Sequence, residues 1–390
     1  MSNPVNLRLT LLLGALAAFA PMSIDMYLPS LPLLAQVFVT DAATVQRTLA
    51  AFMIGLALGQ LFYGPLSDRV GRKPPMLVGI ALYVATSVGC MFAPSIDSLI
   101  ALRFLQALGA CGGIVIGRAI VRDLFDPRDA ARIYSALMLV MGVAPILAPW
   151  AGAQVMQPFG WQGIFAALAL FGLGTLLAAW ALLPETRPRH KRPAQRPLAG
   201  YLGLLSDRRF MGPALVCALG SVTLFTYIAE SAPLMIEGFG VSPQDYSILF
   251  GLNAAAVIGA SQLNRLLLNR MTPAAVVGRS VPAAAAVNLA VLAIAASGLG
   301  GLAGLVTAVF FSLGCFGLTV PNAVATALGN VPPERAGAAS ALVGALQFTG
   351  GAAAASLVGL LHDGSALPLG LMMAAAALLA LLAQRLLRAT

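Results

Sequence analysis

The sequence predicts an all-α membrane protein with twelve transmembrane helices in two pseudo-symmetric six-helix bundles. Three observations carry this expectation. The 390 residues are 59% apolar and only 9% charged, with mean hydropathy +0.89, whereas soluble domains carry about 25% charged residues. Apolar runs long enough to cross a bilayer recur along the whole chain. Lys and Arg collect in every second connection between those runs.

Taken in order, the spans run over about Leu7–Leu28, Thr44–Leu66, Pro75–Ala93, Ser95–Val121, Arg132–Met156, Trp161–Leu183, Phe210–Ile236, Tyr246–Leu268, Pro273–Ser297, Leu302–Ala327, Ala336–Leu361 and Pro368–Leu387. The first carries Asp25 and no small-residue cleavage site, so it reads as a span rather than a leader. The 40 Gly and 25 Pro suit helices that approach closely in lipid. Strand-type alternation is absent, which argues against a β-barrel. Cys90, Cys111, Cys217 and Cys315 all fall inside apolar runs without CxxC spacing, and read as small packing residues rather than a disulfide or metal set.

With the amino terminus inside, the inward connections and ends hold 20 of the 23 Lys and Arg, and the outward ones hold only Arg47. Arg103 and Arg118 lie within a span. The bias places both termini in the cytoplasm. It also explains the net charge of +9 without a nucleic-acid partner. Residues 184–209 form the longest polar stretch, with Arg187-Pro-Arg-His-Lys-Arg-Pro at its centre. It divides the chain into residues 1–183 and 210–390 and reads as a solvated linker; anionic lipid or a partner is the other reading. At an offset of 205, Pro127–Leu137 aligns with Pro332–Leu342, sharing Ser-Ala-Leu, and Asp25 falls on Glu230. Two related six-helix halves point to a transporter.

Ionisable groups inside spans are costly and are functional candidates. Here they are Asp25 in span 1, Arg103 and Arg118 in span 4, and Glu230 in span 7. Asp25, Arg103 and Glu230 lie at similar depth toward the outer side. Burial favours the neutral form of a carboxyl and a nearby guanidinium favours the charged form. A movable Asp25–Arg103 tie would therefore couple a proton to a conformational change. Asp25 reads otherwise as a static salt bridge or rim residue, and Glu230 as a site for a cationic substrate, a second proton, or a wet residue near the mouth. Tyr227, Asn253, Phe316, Asn322 and Gln347 are polar or aromatic residues within spans, and with Asp25 and Glu230 are candidate substrate contacts. Such side chains also serve as interhelical hydrogen bonds.

The turn Gly64-Pro-Leu-Ser-Asp68-Arg69-Val-Gly71-Arg72-Lys73-Pro74 concentrates charge and glycine between two apolar spans. Gly64 and Gly71 are expected to permit close backbone approach, a carboxylate here to cap a neighbouring helix amino terminus, and Asp123 to pair with Arg72. This turn resembles motif A of the major facilitator superfamily, G-x-L-x-D-R-x-G-R-K, at every fixed position. Asp25-Met-Tyr-Leu-Pro-Ser-Leu-Pro32 resembles the first-helix motif of drug:proton antiporters, and Arg103-Phe-Leu-Gln106-Ala-Leu-Gly109 resembles motif B. Gly142-Val-Ala-Pro145-Ile-Leu-Ala-Pro149-Trp-Ala-Gly152 is similar to the antiporter motif C, with Ala148 and Ala153 in place of two glycines. Span 1 and Gly117-Arg118-Ala-Ile-Val-Arg122-Asp123 are most similar to the Bcr/CflA drug-efflux subfamily. The second-half counterpart of motif A, near Gly259–Arg265, is degenerate, with Asn264 where the Asp stands.

The resemblance implies a proton-coupled antiporter of a bacterial inner membrane. It would export small drug-like or metabolite molecules from the cytoplasm by alternating access, as a monomer and without cofactor or metal. Asp25 and Arg103 would couple the proton, and Asp68, Arg69, Arg72, Lys73 and Asp123 would form a conformational latch. A sugar or amino-acid exporter, or an importer, is the rival on the same fold. An intramembrane enzyme is disfavoured: the two histidines are His190, in the linker, and His362, at an outer edge, with no HExxH or GxSxG. An ATP-driven pump is disfavoured by the lack of a GxxxxGK[ST] loop.

Overall fold

The computed structural model describes residues 7–186, 197–332 and 335–386. The basic centre of the linker, residues 187–196, and both chain ends lie outside them. The chain forms α1 (Leu7–Asp25), a 3-10 turn (Leu28–Ser30), α2 (Leu31–Val37), α3 (Ala42–Val70), α4 (Lys73–Met91), α5 (Ile96–Leu124) and α6 (Pro127–Leu182). Beyond the linker come α7 (Pro197–Leu205), α8 (Arg208–Ala232), a π-helical turn (Pro233–Gly238), α9 (Pro243–Leu267), α10 (Pro273–Ser297), α11 (Gly301–Gly329), α12 (Ala336–Leu361) and α13 (Leu367–Leu386). Among the described residues, 11 helices are long and apolar enough to cross a membrane. The longest, α6, is two spans joined at Gly160, whose φ of 63° and ψ of −171° are not helical. Divided there, the helices match the twelve spans read from sequence. The linker is not wholly irregular, since Pro197–Leu205 is helical.

Helix starts follow side-chain chemistry. Ser95 and Ser98 form a reciprocal capping box at α5, and Asp207, Ser242 and Thr272 each accept a backbone N–H at the starts of α8, α9 and α10. Each satisfies an amide that the helix itself leaves open. Gly298 ends α10 in the left-handed conformation, at φ 68°. Large apolar side chains such as Leu170, Trp180, Phe311 and Leu360 stay exposed. In water so many would be a liability, whereas hydrocarbon is their natural solvent.

The helices cluster into two compact units. One comprises residues 1–30 and 51–196, the other residues 31–50 and 197–390, so the boundary falls inside α3 between Ala50 and Ala51. In the first unit small residues set the helix spacing. A Cβ on Gly109 of α5 would stand 2.6 Å from Gly79 O and Tyr83 N of α4. One on Gly55 of α3 would stand 2.5 Å from Phe104 O, and one on Gly59 would stand 2.5 Å from the Cβ of Cys111. Gly152 of α6 lies closest of all: its Cβ would lie 2.1 Å from Met26 O, just beyond α1. The antiporter-like motif thus fixes where α1 ends. The second unit has a core of Phe210, Val216, Val281, Val320, Val343 and neighbours from α8, α10, α11, α12 and α13.

Gly64 behaves differently from the expectation of close approach, because nothing lies within 4 Å of a Cβ placed there. Gly71 needs glycine for another reason, a φ of 102° that L side chains rarely adopt. Gly152→Ala and Gly109→Val are therefore expected to lower the melting temperature of the purified protein sharply, since backbone must move by roughly an ångström and overpacking costs about 1–3 kcal/mol. Gly64→Ala should melt within a degree or two of wild type. A thermal-shift series over the three variants checks the order.

Candidate functional site

The first unit holds a cation in a dry site. Arg103 on α5 is fully buried. Its guanidinium donates from Nη2 to Ser23 O at 3.0 Å and from Nη1 to Gln106 Oε1 at 2.7 Å. Its carbon sits 4.6 Å from the ring centre of Tyr27 and 4.3 Å from that of Phe52. Helix geometry makes the Ser23 carbonyl available. At the end of α1 the Tyr27 N–H turns to Ile24 O, so Ser23 O is one of the orphan acceptors every helix end leaves. The aromatic faces supply further negative potential at a desolvated site. Gln106 passes the network on by donating to Ser87 Oγ at 2.7 Å, and Ser87 donates to Tyr83 O. The Tyr83 hydroxyl and Ser23 Oγ are 2.7 Å apart.

Asp25 is buried two residues beyond Ser23. The expected tie between Asp25 and Arg103 is not made in this structure. Among the described residues no ion pair joins them, and Arg103 is held by the α1 carbonyl, Gln106 and the two rings instead. The physical reason is supply: a carbonyl dipole, an amide oxygen and two π faces already solvate the guanidinium. Its Nε alone lacks a hydrogen-bond acceptor. Arg118, also in α5, is exposed.

The charged turn forms the second cluster of this unit. Arg72 is buried and joins Asp68 Oδ1 at 2.8 Å through Nη1 and Asp123 Oδ2 at 2.9 Å through Nε, and it also donates to Ser67 Oγ. The expected Arg72–Asp123 pair is thus present. A carboxylate also caps the amino terminus of α4, and it is Glu185. Its Oε1 accepts from Arg72 N at 2.8 Å and its Oε2 from Lys73 N at 3.2 Å, at the start of α4. A carboxylate there meets both orphan amides and the positive end of the helix dipole. Lys73 Nζ donates to Trp180 O. Arg69 is exposed. In sequence Glu185 had only its place after span 6, in Pro-Glu-Thr, to mark it.

The second unit holds a carboxyl in a dry site. Glu230 on α8 is fully buried. Its Oε2 accepts from Gln46 Nε2 at 3.1 Å, and its Oε1 lies 2.5 Å from His362 Nδ1 at the end of α12. Glu230 is therefore not a wet residue near a mouth, and His362 is no bystander at an edge. Of the remaining candidates, Tyr227 and Asn253 come together. Asn253 Nδ2 donates to the Tyr227 hydroxyl at 3.0 Å, Tyr227 stacks on Phe250 at 5.3 Å, and Asn253 Oδ1 is buried without a partner. Asn322 is occupied by Asn264 Oδ1 and Leu318 O, a tie between helices. Gln347 donates to Ser221. Phe316 lines a separate small cavity with Asn288, Ser312 and Thr319. The five do not form one surface within the unit. Pro145 and Pro149 sit inside α6 with Gly142 and Gly152, and of these Gly152 makes the closest approach to the end of α1.

Comparison with known proteins agrees with this architecture. The chain is 37% identical over 98% of its length to an uncharacterized MFS-type transporter, YdgK, of Bacillus subtilis, and covers 96% of that protein. It is 30% identical to a bicyclomycin resistance protein homolog of Haemophilus influenzae, over 96% of this chain and 94% of the relative. It is 32% identical to the multidrug resistance protein MdtL of Escherichia coli, over 86% and 84%. Among solved structures, the nucleoside transporter NupG (D323A mutant) superposes with a TM-score of 0.77 at 14% identity, covering 98% of this chain and all of that one. The family profile named Major Facilitator Superfamily matches residues 13–355. The chain is a multi-pass membrane protein, and it belongs to the Major Facilitator Superfamily.

Proposed function

We propose that this transporter exports small drug-like molecules from the bacterial cytoplasm in exchange for protons, by alternating access. Asp25 is the carboxyl that carries the proton. One observation supports this most: Asp25 is buried at the end of α1 and makes no ion pair among the described residues, while other groups satisfy the buried guanidinium of Arg103. A carboxyl so placed can bind a proton without first breaking a salt bridge. When the proton leaves, the new charge draws Arg103 away from Ser23 O, and the end of α1 loses the group that satisfies its carbonyl. Proton binding and helix position are linked through that one guanidinium. The names of the two resistance relatives support a drug-like substrate rather than a sugar or amino acid.

Asp68, Arg69, Arg72, Lys73 and Asp123, with Glu185, act as a latch at the start of α4. The charge bias supports an inner-membrane orientation with both chain ends in the cytoplasm; residues 1–183 and 210–390 are read as the two halves and a monomer as the working unit. Tyr227 and Asn253 are the best-supported substrate contacts. The unpaired Asn253 Oδ1 supports a donor on the substrate.

In everted vesicles held at an acid-inside pH gradient, bicyclomycin or another member of a drug panel is expected to collapse the gradient, read by a pH-sensitive dye. Asp25→Asn should abolish that collapse while leaving the protein folded and inserted. Full activity in this variant, or no collapse by wild type across the panel, contradicts the reading. Loosening the latch by Asp68→Asn or Glu185→Gln is expected to slow turnover several-fold and to leave the drug's binding constant unchanged. Steady-state rates and equilibrium binding on the same preparation check the separation.

A further inference from the structure

The pair of Glu230 and His362 is unused by the reading above. Both Glu230 oxygens are engaged: Oε2 accepts from the Gln46 amide, and Oε1 lies against Nδ1 of the His362 ring. In the tautomer with Nδ1–H, His362 donates to Glu230. The nitrogen left to titrate is Nε2. A buried carboxylate without a cation is strongly destabilising, and with one it is held. His362 itself is only part-buried, and the cleft lined by Leu31, Pro32, Gln46, Pro233 and Glu237 adjoins Gln46. Water can therefore reach one side of the cluster while Glu230 stays dry.

The three side chains come from three helices, and all belong to the second unit. α3 contributes Gln46, α8 Glu230 and α12 the capping His362. The contact is close: a Cβ on Gly359 would stand 2.7 Å from Gln46 Oε1. That Oε1 is buried and has no hydrogen-bond partner. A flip of the Gln46 amide would turn it onto a protonated Glu230, so the side chain can serve either protonation state of the carboxyl. The other charged or titratable groups around the cluster are Glu237 and Asp363 near His362, Tyr246 through Ser231, Asp245 on Ser242, and Asp41 with Arg47 at the start of α3. Most are acidic. The hydrogen bond to Glu230, followed by the charges of Glu230, Glu237 and Asp363, holds the His362 imidazolium above its ordinary value of 6.5.

We propose that His362, anchored by Glu230 and Gln46, is a second proton-binding site of the transport cycle, which fastens the first turns of α3 to α8 and α12 while it is protonated. Loss of the Nε2 proton leaves the Glu230 charge uncompensated and loosens that fastening. This deepens the proton-coupled reading and rests on it for its place in the cycle, but the site itself titrates whether or not Asp25 carries a proton. The sign follows from the raised value. The stabilisation is complete below pH 6.5, the ordinary imidazole value, and is lost as pH rises through the higher value in the folded protein.

The chain has only two histidines, so a His190→Gln background leaves a single imidazole. Ring-15N-histidine spectra of that protein in nanodiscs should show one titration with its midpoint above 6.5. Glu230→Gln should move the midpoint down toward the ordinary value. A midpoint at or below 6.5, or one unmoved by Glu230→Gln, overturns the site. For its place in the cycle, His362→Gln should shift the pH dependence of drug-driven gradient collapse in everted vesicles. An unchanged profile in an active variant overturns that role. An inactive wild type with a normal His362 titration instead sinks the transport reading and leaves the site standing.

Discussion

The first unit depends on how it accommodates one buried charge. Arg103 lies in apolar surroundings, where an unsolvated guanidinium would cost many kcal/mol. The fold supplies what water would have given: the Ser23 carbonyl, the Gln106 amide and two ring faces. That arrangement requires α1 to end where it does. The end is in turn set by a contact without slack, Gly152 against Met26. A small residue thus acts at a distance on an electrostatic site. It fixes the position of a carbonyl, the carbonyl holds the guanidinium, and Asp25 is left without a cation.

The second unit solves the opposite problem with the same means. Glu230 is a buried carboxyl, and its two oxygens are met by an amide and an imidazole from two further helices. Both carboxyls sit near the carboxyl-terminal ends of their helices. Their environments differ. Asp25 makes no ion pair among the described residues, whereas Glu230 has a titratable partner in direct contact. A chain with so few charges places each where a proton or a helix movement changes its balance.

Much of this was legible in the sequence. Span positions, the break near Gly160 and the pairing of Arg72 with Asp123 followed from hydropathy, glycine and charge, because lipid punishes any departure from those patterns. Asp25, Arg103 and Glu230 stood out for the same reason. The partners did not. Gln46 and His362 are 184 and 132 residues from Glu230, and neither lies within the charged pattern that drew attention. Glu185 caps a helix 112 residues away. Asp68, beside the start of α4, bonds its own Arg72. The expected Asp25–Arg103 tie failed because a backbone carbonyl, which has no sequence signal, competes for the same guanidinium.

The central claim is that Asp25 takes up a proton because Arg103 is satisfied elsewhere. Its most direct test is chemical. Dicyclohexylcarbodiimide adds to carboxyls that carry a proton in apolar surroundings, and peptide mass spectrometry locates the adduct. Labelling of Asp25 is expected to be strong at mildly acid pH and to fall as pH rises. If Asp25 stays unlabelled throughout while Glu230 reacts, the proton belongs to the other unit and the account is wrong.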